Sequence, residues 1–173
     1  VEYKPAGADD SAYGTAAPKN AGKYEFRIST AETDTYKAAS VEGAYEILKK
    51  QVSIIGTAVK ASKVYDGSAA AEITSAGTLS ANYDGINLKI TSGKAAFSDK
   101  NAGIKTVSFT GFALSGDAAE NYELVFQPES VTAEITAKEL TVKNLKVKDK
   151  LYDGKNTAEI DGQPTLSGLV DGD

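Results

Sequence analysis

Any chemistry in this chain would fall to carboxylates, lysines and phenols, because its 173 residues include no Cys, His, Met or Trp. Without Cys there is no disulfide, Fe–S cluster or thiolate nucleophile, and without His there is no imidazole base or ligand. Zinc sites built on nitrogen and sulfur are therefore excluded. Two carboxyl groups about 5–9 Å apart suffice for glycoside hydrolysis, and Asp9, Asp10, Asp99, Asp117 and Glu120 are the candidates. Most of these acids stand in Gly-, Asn- and Ser-rich stretches, where an acid ordinarily shapes a turn or is solvated. The expectation is that the chain is not an enzyme. Oxygen ligands also suit calcium, with Asp9 and Asp10, or Asp117 and Glu120, as candidates. No Asp-x-Asp-x-Asp-Gly loop is present, so a weak calcium site is the most that this pattern supports and no cofactor is expected.

Aromatic rings offer a second chemistry, the platform on which sugars stack. Trp is absent and nine Tyr remain. Tyr24, Tyr45, Tyr65 and Tyr122 fall in strand or corner positions, which leaves Tyr3, Tyr13 and Tyr83 as candidates for exposed rings. A glycan or a host surface protein is thus the alternative partner to neighbouring modules of the same chain.

Charge removes other partners. Acids outnumber bases 24 to 19, for a net charge of −5. Nucleic acid calls for a basic stripe, and the one basic cluster, Lys143 to Lys150, alternates with Leu145, Val147 and Leu151 as a strand with a wet lysine face would. No nucleic-acid partner is expected. No run of about 18 apolar residues occurs, so no membrane insertion is expected in this segment. The chain opens on Val1 without a basic-plus-apolar leader, and is read as part of a longer polypeptide.

The elements that would position these groups are organised by repetition. Lys63-Val-Tyr-Asp-Gly-Ser-Ala-Ala-Ala-Glu-Ile73 returns as Lys150-Leu-Tyr-Asp-Gly-Lys-Asn-Thr-Ala-Glu-Ile160, and 12 of the 24 positions in 63–86 and 150–173 are identical. Lys19-Asn-Ala-Gly22 echoes Lys100-Asn-Ala-Gly103, Tyr45-Glu-Ile47 echoes Ala133-Glu-Ile135, and Val52-Ser-Ile54 echoes Leu140-Thr-Val142 one residue out of phase. A period of 87 exceeds that of solenoid repeats, so each copy is expected to be a domain. Apolar residues alternate at Tyr24/Phe26/Ile28, Leu88/Ile90, Val107/Phe109, Val131/Ala133/Ile135, Leu140/Val142 and Leu145/Val147, which is strand periodicity. Asn-Ala-Gly, Asp-Gly and Ser-Gly turns punctuate the runs. Ala118–Asn121 is the one stretch read as a short helical turn. The pattern predicts an all-β protein of tandem Ig-like β-sandwich modules, with β-grasp-like modules as the alternative.

In Tyr65-Asp66-Gly67 and Tyr152-Asp153-Gly154, each Gly is suited to positive φ and each Asp to accepting backbone amides two residues on. Each Tyr would cover a sheet end with its ring. These six residues are expected to form a structural turn. Tyr36 and Tyr122 are read as corner ties.

Taken in order, Lys63-Val-Tyr-Asp-Gly67, Gly77-Thr-Leu-Ser80, Phe97-Ser-Asp-Lys-Asn-Ala-Gly103, Leu114-Ser-Gly116, Asn121-Tyr122 and Ala133-Glu-Ile-Thr-Ala-Lys138 resemble the YDG-type repeat of bacterial surface proteins. Pro18-Lys-Asn-Ala-Gly-Lys-Tyr24, Asp34-Thr-Tyr36 and Tyr45-Glu-Ile47 are similar to the related MBG-type module. The resemblance implies a structural module of a large extracellular, adhesin-like protein at the bacterial cell surface, used as a stalk or spacer, and it brings no catalytic or metal-ligating residues. The expected division is 1–51 as the C-terminal part of an MBG-like module, 52–139 as a complete YDG-like module and 140–173 as the start of a further one. The alternative phase is 1–86 and 87–173. Under the first phase, the pieces at 1–51 and 140–173 carry strand edges able to complement each other between neighbouring molecules.

Overall fold

The computed structural model describes residues 1–172. These residues form twenty strands and three 3-10 turns, with no α-helix, so the protein is all-β. The first strands are β1 (Glu2–Pro5), β2 (Gly22–Thr30) and β3 (Ala39–Ile47). Short segments follow: β4 (Lys50–Val52), β5 (Ile54–Ile55), β6 (Ala58–Val59), β7 (Ser62–Val64), β8 (Ala70–Ala71), β9 (Ile73–Ser75) and β10 (Thr78–Leu79). Next come β11 (Lys89–Thr91), β12 (Lys94–Phe97), β13 (Gly103–Thr110), β14 (Ala113–Ser115), β15 (Tyr122–Leu124) and β16 (Val131–Thr136). The chain closes with β17 (Thr141–Lys143), β18 (Lys146–Val147), β19 (Ile160–Asp161) and β20 (Thr165–Ser167). The 3-10 turn at Ala119–Asn121 lies within the stretch read as helical; those at Asp10–Ala12 and Gly85–Asn87 carry no periodic signal.

The strands fall into two compact units that interleave along the chain. One comprises Val1–Thr57, Ala76–Gly93 and Thr110–Pro128; the other comprises Ala58–Ser75, Lys94–Phe109 and Glu129–Asp173.

In the first unit, β2 pairs antiparallel with β1 and β3, and β3 edges the sheet. Alternation places Tyr3, Tyr24, Phe26 and Tyr45 on one face, with ring centroids 5.7–6.4 Å from Tyr45. The other face carries charge. Lys4 is buried there, pairs with Asp10 at 2.9 Å and Glu25 at 3.1 Å, and donates to the Ala8 carbonyl. Arg27 pairs with Glu2, and its guanidinium stacks over Tyr13, which also lies beneath Lys4. Elsewhere in this unit β4 and β15 pair in parallel, while β5 with β10 and β11 with β14 are antiparallel. Val52, Leu88, Ala118 and Tyr122 form the core here, with Leu79, Ala81, Leu114 and Ala119 packed around them.

Tyr122 is 5% exposed; its hydroxyl donates to Asp84 Oδ2 at 2.7 Å and accepts from the Tyr83 amide at 3.0 Å. This is a corner tie between a strand and a turn 38 residues away. Tyr36 makes no comparable tie, for it is exposed in a turn closed by the Thr33 amide and hydroxyl. Removing only the hydroxyl in Tyr122→Phe leaves the Tyr83 amide without its acceptor. A lower denaturation midpoint at unchanged denaturant slope is expected, and an unchanged midpoint would show the tie to be idle.

The second unit is built on a five-stranded sheet in the order β7-β16-β13-β12-β8, in which β7 runs parallel to β16 and β13 antiparallel to it. Every second residue points inward: Ala95 and Phe97, Val107 and Phe109, Ala133 and Ile135 are all buried. Three two-stranded antiparallel pairs, β6 with β9, β17 with β20 and β18 with β19, complete it. In 140–151 the alternation is present, but Leu140, Val142, Leu145, Val147 and Leu151 are exposed as well as the lysines. Periodicity sets which side chains share a face, and it does not supply a layer to cover that face.

Candidate functional site

The repeated Tyr-Asp-Gly turn begins where β7 ends. Gly67 has φ of 79° and Gly154 φ of 71°, in the left-handed region that L side chains avoid. Asp66 Oδ1 accepts the Ser68 amide at 2.9 Å, and Asp153 Oδ1 accepts the Lys155 amide at 3.0 Å. Each aspartate also pairs with a lysine three residues earlier, Lys63 at 2.8 Å and Lys150 at 2.9 Å.

The lysine is the residue that a reading centred on Tyr-Asp-Gly passes over. Lys63 Nζ donates to Asp66, to the Ser68 carbonyl at 2.7 Å and to the Ala70 carbonyl at 3.0 Å, so all three of its protons have acceptors. It also lies 5.6 Å from the centre of the Phe97 ring. Lys150 repeats the pattern with Asp153 and the Lys155 carbonyl at 2.8 Å. The signal was present in the sequence, since Lys stands at the head of both copies, but its meaning required the chain to curl back on itself. Around the turn, the Lys60 amide bonds the Glu72 carbonyl and the Lys148 amide bonds the Glu159 carbonyl, both at 2.9 Å.

Each turn borders a shallow cleft. Lys60, Lys63, Asp66, Ala70, Ala71, Glu72 and Phe97 line one of about 340 Å³, and Lys148, Asp149, Lys150, Asp153, Thr157, Ala158 and Glu159 line one of about 430 Å³. Lys63 and Lys150 are already bonded inward. The two turns differ in their tyrosines. Tyr65 is half-buried and lines a third cleft, of about 300 Å³, with Asn101, Ala102, Ala137, Lys138, Leu140 and 168–170. Tyr152 is 97% exposed, and among the described residues no strand runs beside 149–151 as β16 runs beside β7.

Two of the other candidate acids have partners of their own. Asp10 pairs with Lys4; Asp99 accepts the Asn101 amide at 2.8 Å and pairs with Lys105 at 2.9 Å. Among the described residues no three acids gather as a metal site would require. Of the candidate rings, Tyr3 and Tyr13 belong to the packed faces of the β1–β3 sheet, and Tyr83 is exposed, 5.9 Å from Lys50 Nζ.

The lysine partner and the backbone amide hold the carboxyls of Asp66 and Asp153 below their ordinary value, the lysine contributing more. A carboxyl with a depressed native pKa stabilises the fold above its unfolded value of about 3.9, and that contribution is lost as pH falls through the native value. The amide shifts of Ser68 and Lys155 are therefore expected to titrate with midpoints below about 3.9. Lys63→Met should move the Ser68 midpoint upward and leave that of Lys155 unchanged. A Ser68 midpoint insensitive to Lys63 would contradict the pairing.

No curated protein and no solved structure matches the chain. Residues 48–132 match the YDG domain family, a span that contains the first of the two turns, its lysine, and the β13 strand of the five-stranded sheet. The chain therefore carries a YDG domain at residues 48–132.

Proposed function

We propose that this chain is a structural repeat segment of a large, extracellular, adhesin-like protein of the bacterial cell surface, serving as stalk or spacer, and that its modules are tandem Ig-like sandwiches. The observation that carries this is the recurrence, 87 residues on, of the lysine-locked turn, with its aspartate, its amide and one of its carbonyl partners. A catalytic or ligand site places one set of groups once around a reactant, whereas a device that shapes the chain recurs with each module. In this reading the complete module is 52–139, which overlaps the matched span 48–132, while 1–51 is part of an MBG-like module and 140–173, which repeats 63–86, is the opening of another YDG-like one. Strands of nine residues, such as β2 and β3, reach roughly 30 Å, so each added module would lengthen such a stalk.

Two measurements test the role. Protease treatment of intact cells carrying the parent protein should release peptides from 48–132, and their retention until lysis would remove the surface assignment. A glycan array and purified host surface proteins should show no saturable binding to the chain. Saturable binding abolished by Tyr83→Ala would instead favour the second reading, a glycan- or host-protein-binding module, for which the exposed Tyr83 ring beside Lys50 is the observation.

A further inference from the structure

Both module boundaries fall inside a compact unit and not between units. The boundary at 51/52 lies within Val1–Thr57 of the first unit, and that at 139/140 lies within Glu129–Asp173 of the second. Modules joined as independent beads would instead part where the fewest contacts cross. At the first boundary only Leu48 and Lys49 separate β3 from β4, and β4 is itself paired in parallel with β15, Lys50 opposite Tyr122. The Asn-Ala-Gly turn that leads into β2 is held across the same boundary. The Ala21 amide donates to Asn121 Oδ1 at 2.7 Å, and Asn121 Nδ2 donates to Asn20 Oδ1 at 3.3 Å, partners 100 and 101 residues apart. At the second boundary the turn recurs as Asn101-Ala-Gly103, leading into β13. There Asn101 and Ala102 line one cleft with Leu140, Gly168, Leu169 and Val170 of the following module. Gly67 of the lysine-locked turn stands against the same segment, for a Cβ on it would lie 2.8 Å from Val170 Cγ1. Val170 is the counterpart, 87 residues on, of Tyr83, whose amide is held by Tyr122 beside Asn121.

We propose that the Asn-Ala-Gly turn is the docking element by which each module holds the one that follows it, so that neighbouring modules share a fixed junction and stabilise each other. This rests on the reading of 1–51, 52–139 and 140–173 as successive modules. The turn is a repeated motif that the lysine lock does not use, and at both boundaries it faces the following module. The Ala21 amide obtains its acceptor from that module, so the order of one is linked to the order of the other. Arrays of this kind carry stability in nearest-neighbour interfaces as well as within each repeat. The coupling is reciprocal, because a bond that steadies the start of β2 steadies Asn121 by the same free energy.

Amide hydrogen exchange of the whole chain, read by NMR, tests this. In the unaltered chain the Ala21 amide is expected to exchange about tenfold more slowly than an unstructured amide. Asn121→Ala removes both bonds, and should speed exchange at Ala21 and at residues 24–27 of β2 by about threefold to tenfold. Asn121→Asp keeps the accepting oxygen, and should leave both within about twofold of the unaltered chain. At the second boundary a nuclear Overhauser contact is expected between the Gly67 α-protons and a Val170 methyl group. An Ala21 amide that exchanges as an unstructured one would overturn the proposal, and this measurement stands even if a variant does not fold. Unchanged exchange at 24–27 in Asn121→Ala would overturn the coupling, and absence of the Gly67–Val170 contact would overturn the recurrence of the docking. Modules that do not hold each other can still serve as spacers, so failure here leaves the protease and array tests to decide the stalk role. Failure of those tests leaves the exchange result standing.

Discussion

Ile135→Ala is expected to lower the unfolding free energy by about 3–4 kcal/mol, within the range for a fully buried Ile truncated to Ala. Ile135 is 0% exposed and faces Gly103 across the β13–β16 pair. Its loss removes apolar contacts and leaves a cavity, because close-packed surroundings relax only in part. Ile104 lies next to Gly103 on the same pair, opposite Glu134, and is 77% exposed. Ile104→Ala should therefore change stability by no more than about 0.5 kcal/mol. Denaturant titration of the two variants reads the difference directly. Equal costs would mean that the inner face of this sheet has been assigned to the wrong alternating set.

Gly93→Ala is expected to cost about 3 kcal/mol, at the upper end for forcing an extra methyl group into a packed site. A Cβ built on Gly93 would fall on the Thr110 carbonyl oxygen and come within 2.7 Å of the Gly111 carbonyl carbon and of Phe112 Cδ2. Two of these obstacles are backbone, which cannot swing aside, and Phe112 is buried. Gly93 does not lie at positive φ, so the cost comes from space and not from torsional strain. Gly14 serves as the control. It has nothing within 4 Å of its would-be Cβ and no positive φ, so Gly14→Ala should be neutral or slightly stabilising through the unfolded chain. A Gly93→Ala protein as stable as the parent would show that 93 and 110–112 do not meet as described.

Both predictions mark where a reading of the chain stops. Two strands of the five-stranded sheet, β13 and β16, were legible because period-two alternation follows from covalent backbone geometry, which each residue carries with it. Val107, Phe109, Ala133 and Ile135 stand in that pattern unaided. The Gly in each Tyr-Asp-Gly was legible for the same reason, since positive φ is a property of one residue and its missing Cβ. The recurrence of Lys63–Ile73 as Lys150–Ile160 was legible from identity alone.

Other features depended on which parts of the chain meet. Ser92-Gly93 read as a turn, and only the approach of Thr110 and Gly111 makes its glycine a matter of space. Lys63 had no role legible in the sequence, and only the curl of the chain brings the Ser68 and Ala70 carbonyls to it. Lys4 is buried by partners on a turn and on β2, at sequence distances no local pattern encodes. Tyr65 and Tyr152 head identical Tyr-Asp-Gly triplets, yet one is half-buried and the other almost wholly exposed, because burial belongs to the neighbouring strand and not to the residue. Local chirality, turn propensity and periodicity were thus written in the sequence. Which faces are covered, which ammonium groups are satisfied and where a methyl group no longer fits were decided only by the packing of distant segments, because those properties belong to pairs of residues.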